Sequence, residues 1–414
     1  MLLLPYFKNT FLFFVLILSS CGKTKKTLIA SNDRPALQVE KAIDTPLVIA
    51  ANRTKNYLPL LAGKNIAVVA NPTSVIFKAE SNTHIIDSLM ALRVAIKKVF
   101  APEHGFRGEA DAGEHLKDGK DAKTGLPLIS LYGKNRKPSK EQLEGIDLVL
   151  FDIQDVGVRF YTYIATLQLV LEACAEHNVA VVVLDRPNPN AHYVDGPLME
   201  AEHENFLGMT EIPLVYGMTI GEYAKMINEE GWLENGKKAD LTIIPMDHYT
   251  HETFYSLQIR PSPNLPNDLA IKLYPSLGLF EGTNVNAGRG TEFQFQRYGA
   301  PFLDSTNYDF SYTPQPNFGS KSPKHKGELC YGVDVTKEDT STLNAVDLKW
   351  IIDAYTHTQN KSLFFITSGF TKHAGTEKLQ KQIEAGWSAQ EISASWQPAI
   401  EQFKKIRAKY LLYP

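Results

Sequence analysis

Cysteine is scarce in this sequence, and the short motifs of several common catalytic machineries are missing. The chain has 3 cysteines in 414 residues, and no two of them have the C-x-x-C spacing of a zinc or redox site. There is also no G-x-S-x-G elbow, no Walker lysine loop and no G-x-G-x-x-G turn after a strand. These absences argue against a disulfide scaffold and a nucleotide cofactor, and we expect no cofactor.

The chain also lacks a strong excess of charge of either sign. Its net charge of −3 gives no reason to expect a nucleic-acid partner. With 43% hydrophobic and 21% charged residues, the composition is that of an ordinary globular protein. A chain of this length is long enough for two domains.

The N-terminus has the order of a secretory signal peptide. An apolar run, 11–18, follows Lys8 and precedes two serines and Cys21. A membrane-spanning helix needs about 20 apolar residues, so this run is too short to span. The stretch 18–21, Leu-Ser-Ser-Cys, resembles a bacterial lipobox. We therefore predict a signal peptide over 1–20, a lipidated Cys21, a polar tether over 21–46, and a membrane-anchored lipoprotein of the periplasm or cell envelope.

The remainder alternates short apolar runs with helical patterns. Strands are predicted over 66–70, 94–100, 148–151, 179–184 and 241–245, and helices over 85–92, 161–177 and 220–231. This alternation is typical of a doubly wound, Rossmann-like parallel sheet. The proline-rich stretch 260–267 cannot be helix or central strand and is a candidate domain crossing. We predict an α/β domain over 47–262 and a smaller α+β domain over 263–414, with the active cleft between them.

Dense polar sequence follows three of the predicted strands. Ligands of parallel α/β sheets bind beyond the carboxyl ends of the strands, so these segments should share one rim. They are 101–108, 152–159 and 185–189.

These segments also carry a resemblance. Together with 280–284 and 288–291, the stretches 102–108, 152–163 and 184–189 are similar to the successive motifs of the NamZ exo-muramidase family. The resemblance covers nearly everything after the tether. It implies a Rossmann-like domain, a smaller C-terminal domain, and hydrolysis of peptidoglycan-derived muramyl saccharides at their non-reducing ends.

Glycoside hydrolysis usually needs a proton donor and a second group that supplies a nucleophile or activates water. Glu103 is the predicted general acid, because it follows an apolar strand and precedes Gly105, which allows a sharp turn. Glu281 is the predicted second group, with Asp152 and Asp155 as competitors. The acetamido group of the substrate could serve as nucleophile instead.

Muramic acid carries a lactyl carboxylate, which a guanidinium can bind through two parallel hydrogen bonds. One or two of the motif arginines should bind it, and the others should pair with aspartates. Tyr132, Tyr161 and Tyr163 could stack on a sugar ring. The predicted substrate-binding residues are His104, Arg107, Asp152, Gln154, Asp155, Arg159, Tyr161, Tyr163, Asp185, Arg186, Asn188, Asn284 and Arg289.

Two alternatives to a glycosidase stay open from the sequence. His104, Asp111, Glu114 and His115 could make a metal-dependent cell-wall hydrolase or deacetylase, although their spacing matches no established ligand motif and we expect no metal. EDTA sensitivity would distinguish that enzyme. The other alternative is a non-catalytic lipoprotein that binds peptidoglycan fragments, and a Glu103→Gln variant with unchanged turnover would favour it.

Overall fold

The structure, a computed structural model, describes residues 46–79, 81–107 and 118–414. The predicted signal peptide, Cys21 and nearly all of the tether lie outside the described residues. So do Asp111, Glu114 and His115 of the alternative metal site. Within the described part of the chain, no helix combines the length and apolar character needed to cross a bilayer.

The described chain contains both strands and helices along its whole length. The strands are β1 (Ile66–Ala70), β2 (Val75–Ile76), β3 (Thr83–His84), β4 (Ile96–Ala101), β5 (Gly119–Lys120), β6 (Pro127–Ser130), β7 (Leu148–Asp152), β8 (Ala180–Leu184), β9 (Asp195–Leu198), β10 (Pro213–Val215), β11 (Leu241–Ile244), β12 (Arg297–Ala300), β13 (Phe310–Tyr312) and β14 (Cys330–Asp334). The α-helices are α1 (Thr54–Leu61), α2 (Ile85–Ala91), α3 (Lys140–Leu143), α4 (Tyr163–His177), α5 (Ile220–Glu229), α6 (Asp268–Leu277), α7 (Lys349–Thr356), α8 (Thr367–Ala374), α9 (Lys378–Glu384) and α10 (Ala389–Arg407).

Seven strands form the central sheet in the order β11-β8-β7-β1-β4-β6-β5. All neighbours are parallel except the edge strand β5, which runs antiparallel to β6. From β1 the chain first builds outward through β4 and β6, and then returns to the other side of β1 through β7, β8 and β11. This is the doubly wound order, in which the strand order reverses beside β1 and leaves a crevice at the carboxyl ends of the strands.

Apolar side chains of the central strands pack on both faces of the sheet, as expected for parallel strands that are covered on both sides. In β1, Ala67 and Val69 pack with α3, α4 and α5, whereas Ile66, Val68 and Ala70 pack with α1 and α2. The predicted α/β fold class with a second, smaller part is confirmed. Strand bounds agree with the sequence prediction to within one or two residues.

The second, smaller part of the fold shares the larger of these two cores. It contains the three-stranded antiparallel sheet β12-β14-β13 and helices α6 to α10. Phe280, Phe370 and Ile400 belong to the same buried cluster as Phe151 of the central sheet. The boundary near residue 262 stays a prediction. The proline-rich stretch 260–267 crosses between the two parts without helix or strand.

Candidate active site

A cavity of about 280 Å³ lies where the segment after β4 meets the start of α4 and the second part of the fold. It is lined by residues from several stretches that are far apart in the sequence. They are Glu103, His104, Phe160, Tyr161, Thr162, Tyr163, Leu207, Ser262, Asn264, Leu265, Tyr274, Glu281, Arg289, Phe295 and His373. The predicted catalytic pair, Glu103 and Glu281, therefore lines one cavity, and these two are the carboxylic acids among its described lining residues.

Glu103 is held by hydroxyl groups. Its Oε2 accepts a hydrogen bond from Thr162 Oγ1 at 2.8 Å, and the Tyr132 side chain also hydrogen-bonds to its carboxylate. Burial, together with the charge and hydrogen bond of Glu103, raises the pKa of Tyr132 to about 12. Tyr132 therefore remains a neutral donor at physiological pH, and it orients the acid where we had predicted a stacking surface.

The backbone turns sharply just after Glu103. His104 has φ 68° and Gly105 has φ 81°, so two successive residues are left-handed. Gly105 tolerates this conformation, whereas His104 has a Cβ and is strained there by about 1–2 kcal/mol. The turn lets both Glu103 and His104 line the cavity, in agreement with the turn expected from Gly105.

Glu281 lies in a short 3-10 helix, Gly278–Gly282, and is surrounded by cations. Arg289 Nη1 donates to its Oε2 at 2.9 Å. Lys324 Nζ donates to the carbonyls of Phe280 and Glu281 at 3.0 and 3.1 Å. Burial raises the pKa of Glu281, but the positive charges of Arg289 and Lys324, with the hydrogen bond from Arg289, outweigh burial and hold it below its usual value. Glu281 is therefore ionised at neutral pH.

His373 enters the cavity from the last turn of α8. Its Nδ1 lies 2.8 Å from the carbonyl of Gly369, which can only accept, so Nδ1 carries the proton and Nε2 is the acceptor in the neutral ring. Burial lowers the pKa of His373. The ring is therefore mainly neutral at neutral pH, and it packs edge-on against Phe160 at 5.5 Å between centroids.

Aromatic side chains form much of the cavity wall. Tyr161 and Tyr163 meet edge to face at 4.8 Å, and Tyr274 packs against both Phe160 and Phe295 at 5.1 and 4.7 Å. The Tyr161 hydroxyl donates to the carbonyl of Pro261 at 2.7 Å. The wall is thus a largely aromatic surface in which the Tyr161 hydroxyl is fixed, and such a surface suits one face of a sugar ring.

Three of the four predicted arginines do not reach this cavity. Arg107 pairs with Asp121 through Nε and Nη2 at 2.9 and 2.8 Å. Arg186 is buried and pairs in the same two-pronged way with Asp152, at 2.6 and 2.9 Å. In the structure these two arginines and Asp152 are therefore paired within the protein and do not line the cavity.

Arg159 is 1% exposed and has carbonyl groups as partners. Its guanidinium donates to Pro197 and Ile212, both at 2.8 Å, and to His373 and Ala374 at 3.1 and 2.7 Å. The last two carbonyls close the C-terminal end of α8, where a cation is favoured by the helix dipole. Arg159 thus ties the motif before α4 to the helix that carries His373, and it does not line the cavity.

The remaining predicted polar residues form buried networks beneath the rim. The Gln154 side chain donates to the carbonyls of Asp155 and Pro187 at 2.7 and 2.5 Å. Asp155 accepts from Gly157 N at 2.7 Å and from the Tyr216 hydroxyl. Asn188 Nδ2 donates to Met218 O at 2.8 Å.

Two buried aspartates in these networks hold a proton unusually well. Burial raises the pKa of Asp155 to about 6, although hydrogen bonds from Tyr216 and Gly157 oppose it. Burial likewise raises the pKa of Asp185 to about 6, against hydrogen bonds from Tyr413, Thr219 and Gly221.

Asn284, another predicted polar residue, donates a hydrogen bond from its side-chain amide to the carbonyl of Leu363 at 2.7 Å. None of the residues in these networks lines the described cavity, and each supports the loops that do.

Of the predicted site, the structure brings together Glu103, His104, Tyr161, Tyr163, Glu281 and Arg289. The sequence analysis missed other lining residues. Thr162 lies inside the motif 152–163, so its hydroxyl group could have been predicted as a site residue from the sequence. Asn264 lies in the proline-rich stretch that was predicted only as a domain crossing. Tyr274 and His373 lie in stretches without a distinctive pattern, and only the fold places them at the site.

Comparison with known proteins identifies the family of the chain. Residues 66–269 match the family profile described as exo-β-N-acetylmuramidase NamZ, N-terminal, and residues 272–413 match the corresponding C-terminal profile. The chain belongs to the NamZ family.

Relatives of this family are similar over almost their whole length. The peptidoglycan β-N-acetylmuramidase NamZ of Bacillus subtilis (strain 168) is 38% identical over 395 residues, which cover 91% of this chain and 92% of that protein. A crystal structure of a DUF1343 family protein from Bacteroides fragilis NCTC 9343 has a TM-score of 0.81 at 42% identity, covering 89% of this chain and 99% of that one. A second DUF1343 protein from the same strain has a TM-score of 0.74 at 26% identity, with the same coverage.

Proposed function

We propose that this protein is an exo-β-N-acetylmuramidase that releases N-acetylmuramic acid from the non-reducing ends of peptidoglycan fragments. The observation that carries this function is the pairing of Glu103 and Glu281 in one small cavity of a NamZ-family fold. A volume of about 280 Å³ lies near the lower end of the roughly 300–1,000 Å³ common for small-molecule sites. Such a cavity suits one terminal sugar, as exo-action requires.

In this mechanism Glu103 protonates the leaving oxygen. The hydrogen bonds from Thr162 and Tyr132 fix the direction of its carboxyl group, and orientation of this kind is a large part of what an enzyme contributes. The aromatic wall limits the water around the acid. Protonation by a positioned side chain typically contributes about 10²- to 10⁴-fold to the rate.

Glu281 has a complementary role. Cleavage of a glycosidic bond passes through an oxocarbenium-like state, in which positive charge develops on the sugar ring. Because Arg289 and Lys324 keep Glu281 ionised, it offers the negative charge that stabilises this state. This role holds whether Glu281 attacks the sugar, activates water or supports attack by the acetamido group.

Of the four motif arginines, all of which the structure describes, Arg289 is the one that lines the cavity. We propose that Arg289 binds the lactyl carboxylate, which is the group that distinguishes muramic acid from glucosamine. Its hydrogen bond to Glu281 at 2.9 Å fixes the guanidinium at the wall of the cavity.

The function is tested with purified protein and a chromogenic β-N-acetylmuramide, with and without EDTA. We expect turnover that EDTA leaves unchanged, because general acid catalysis by Glu103 needs no metal ion. Absence of turnover would contradict the glycosidase, and turnover abolished by EDTA would favour the metal-dependent hydrolase.

We further propose that the mature protein is a lipoprotein anchored to the membrane at Cys21. The support is the sequence pattern before Cys21, in which an apolar run and two serines precede the cysteine. Two acyl chains on the new N-terminus would give stable anchoring.

Cys21→Ala should move the protein from the detergent phase to the aqueous phase when cell membranes are partitioned, because the acyl acceptor is lost. Ser20→Ala is the matched control, since it keeps a small residue before the cysteine and should leave the partition unchanged. Retention of Cys21→Ala in the detergent phase would contradict the anchor.

A further inference from the structure

A second and larger cavity lies beside the first. It has a volume of about 1030 Å³ and runs between α4 and α10. Its lining includes Lys134, Arg136, Phe206, Glu211, Trp232 and Phe403, and we name it the outer groove. Neither the family resemblance nor the predicted site residues assign it a role.

The outer groove adjoins the catalytic cavity at Glu103. Tyr132 hydrogen-bonds to the Glu103 carboxylate, and the Tyr132 ring lies 6.5 Å from the ring of Phe206. Phe206 lines the outer groove, whereas its neighbour in the chain, Leu207, lines the catalytic cavity. One short segment therefore forms part of both walls.

The position of the proton donor gives the direction of the substrate. A general acid contacts the glycosidic oxygen, and the leaving group begins at that same oxygen. The leaving group must therefore extend from the Glu103 side of the catalytic cavity. The outer groove adjoins that side, since Tyr132 hydrogen-bonds to Glu103 and its ring is a neighbour of the Phe206 ring in the groove wall.

From these contacts the geometry points to the outer groove as the binding site for the glycan chain that follows the scissile bond. The inference rests on the proposed function, and specifically on Glu103 as the proton donor. The groove is several times larger than the one-sugar cavity, so it has room for more than one further sugar residue.

The lining of the groove suits a saccharide. Phe206 and Trp232 are partly exposed apolar surfaces of the kind on which sugar rings pack. The Arg136 guanidinium lies 4.1 Å from the centroid of the Phe206 ring and holds that ring in place. Lys134 and Glu211 add exposed donors and acceptors at the rim for sugar hydroxyl and acetamido groups.

The test compares kcat/KM for three peptide-free substrates: a chromogenic muramide, the natural disaccharide and a tetrasaccharide. For the wild-type protein we expect kcat/KM to rise by about 3- to 10-fold from disaccharide to tetrasaccharide. Trp232→Ala should remove this gain and leave turnover of the chromogenic muramide unchanged, because that substrate has no sugar beyond the scissile bond.

A second groove variant keeps the test decisive if Trp232→Ala folds poorly, and a control variant lies outside the groove. The Arg136 side chain is exposed, so Arg136→Ala should fold normally. It should also reduce the gain in kcat/KM with chain length, because it removes the guanidinium that packs on the Phe206 ring. Phe254→Ala is the matched control, because Phe254 is 82% exposed and lies outside the groove. It should leave kcat/KM unchanged for all three substrates.

A wild-type protein that shows no gain with chain length, or groove variants that keep it, would overturn the assignment. So would a gain that appears only when the chains carry stem peptides, which would place the peptide in the groove. Failure of the wild-type protein to cleave even the chromogenic muramide would instead contradict the proposed function.

Discussion

Glu103→Gln should lower kcat/KM on the natural disaccharide by about 10²- to 10⁴-fold and lower it by less than about 10-fold on a 4-nitrophenyl muramide. Glutamine keeps the size of the side chain and can still form a hydrogen bond with Thr162, but it has no acidic proton to transfer to the leaving oxygen. A sugar hydroxyl must be protonated as it leaves, whereas 4-nitrophenolate departs readily as its anion. The comparison is made under conditions in which cleavage of the glycosidic bond limits both rates.

Glu144→Gln is the matched control for this variant. Glu144 is exposed and lies outside the cavity, so neither substrate should be affected. Equal and severe losses on both substrates for Glu103→Gln would point to Glu103 as nucleophile or base. Glu281 would then be the proton donor.

Arg289→Met should collapse the preference for muramic acid over glucosamine. We expect the wild-type protein to prefer the muramide strongly, because a glucosaminide lacks the lactyl carboxylate that Arg289 would bind in addition to Glu281. A hydrogen bond between charged groups contributes about 1.5–3 kcal/mol, so the muramide-to-glucosaminide ratio of kcat/KM should fall by about 10- to 150-fold in the variant.

The ratio is the informative quantity because Arg289 also holds Glu281. Loss of that contact raises the pKa of Glu281 and should lower kcat/KM for both substrates alike, which leaves the ratio unchanged. Arg107→Met is the control, since Arg107 belongs to a similar motif but pairs with Asp121. An unchanged ratio in Arg289→Met, or a collapsed one in Arg107→Met, would contradict the assignment.

The arginines also show what the sequence could not decide. Both a substrate carboxylate and an aspartate of the protein are planar anions, and a guanidinium pairs with either in the same geometry. Arg186 and Asp152 stand 34 residues apart in the chain, so their pairing depends on the neighbouring positions of β7 and β8. Arg159 has no acidic partner to suggest its role, because backbone carbonyls leave no trace in the sequence.

The strands of the sheet were more accessible to prediction. A buried parallel strand is apolar on both faces, and β1, β7 and β8 have that pattern in the sequence itself. The rule that ligands bind at the carboxyl edge also pointed to Glu103 and His104 after β4, which line the cavity, whereas the segments after β7 and β8 form the networks beneath it. The contributions of Tyr274 and His373 could not be predicted in this way, because α6 and α8 reach the cavity only through packing between distant parts of the chain.

The central claim is that Glu103 and Glu281 form the site of an exo-β-N-acetylmuramidase, and product analysis tests it most directly. Peptidoglycan oligosaccharides labelled at the reducing end, each with muramic acid at its non-reducing end, are incubated with the purified wild-type protein. Free N-acetylmuramic acid should appear from the first time points, and each labelled chain should shorten by that one residue. Labelled fragments cut internally, or no free N-acetylmuramic acid at all, would contradict the claim.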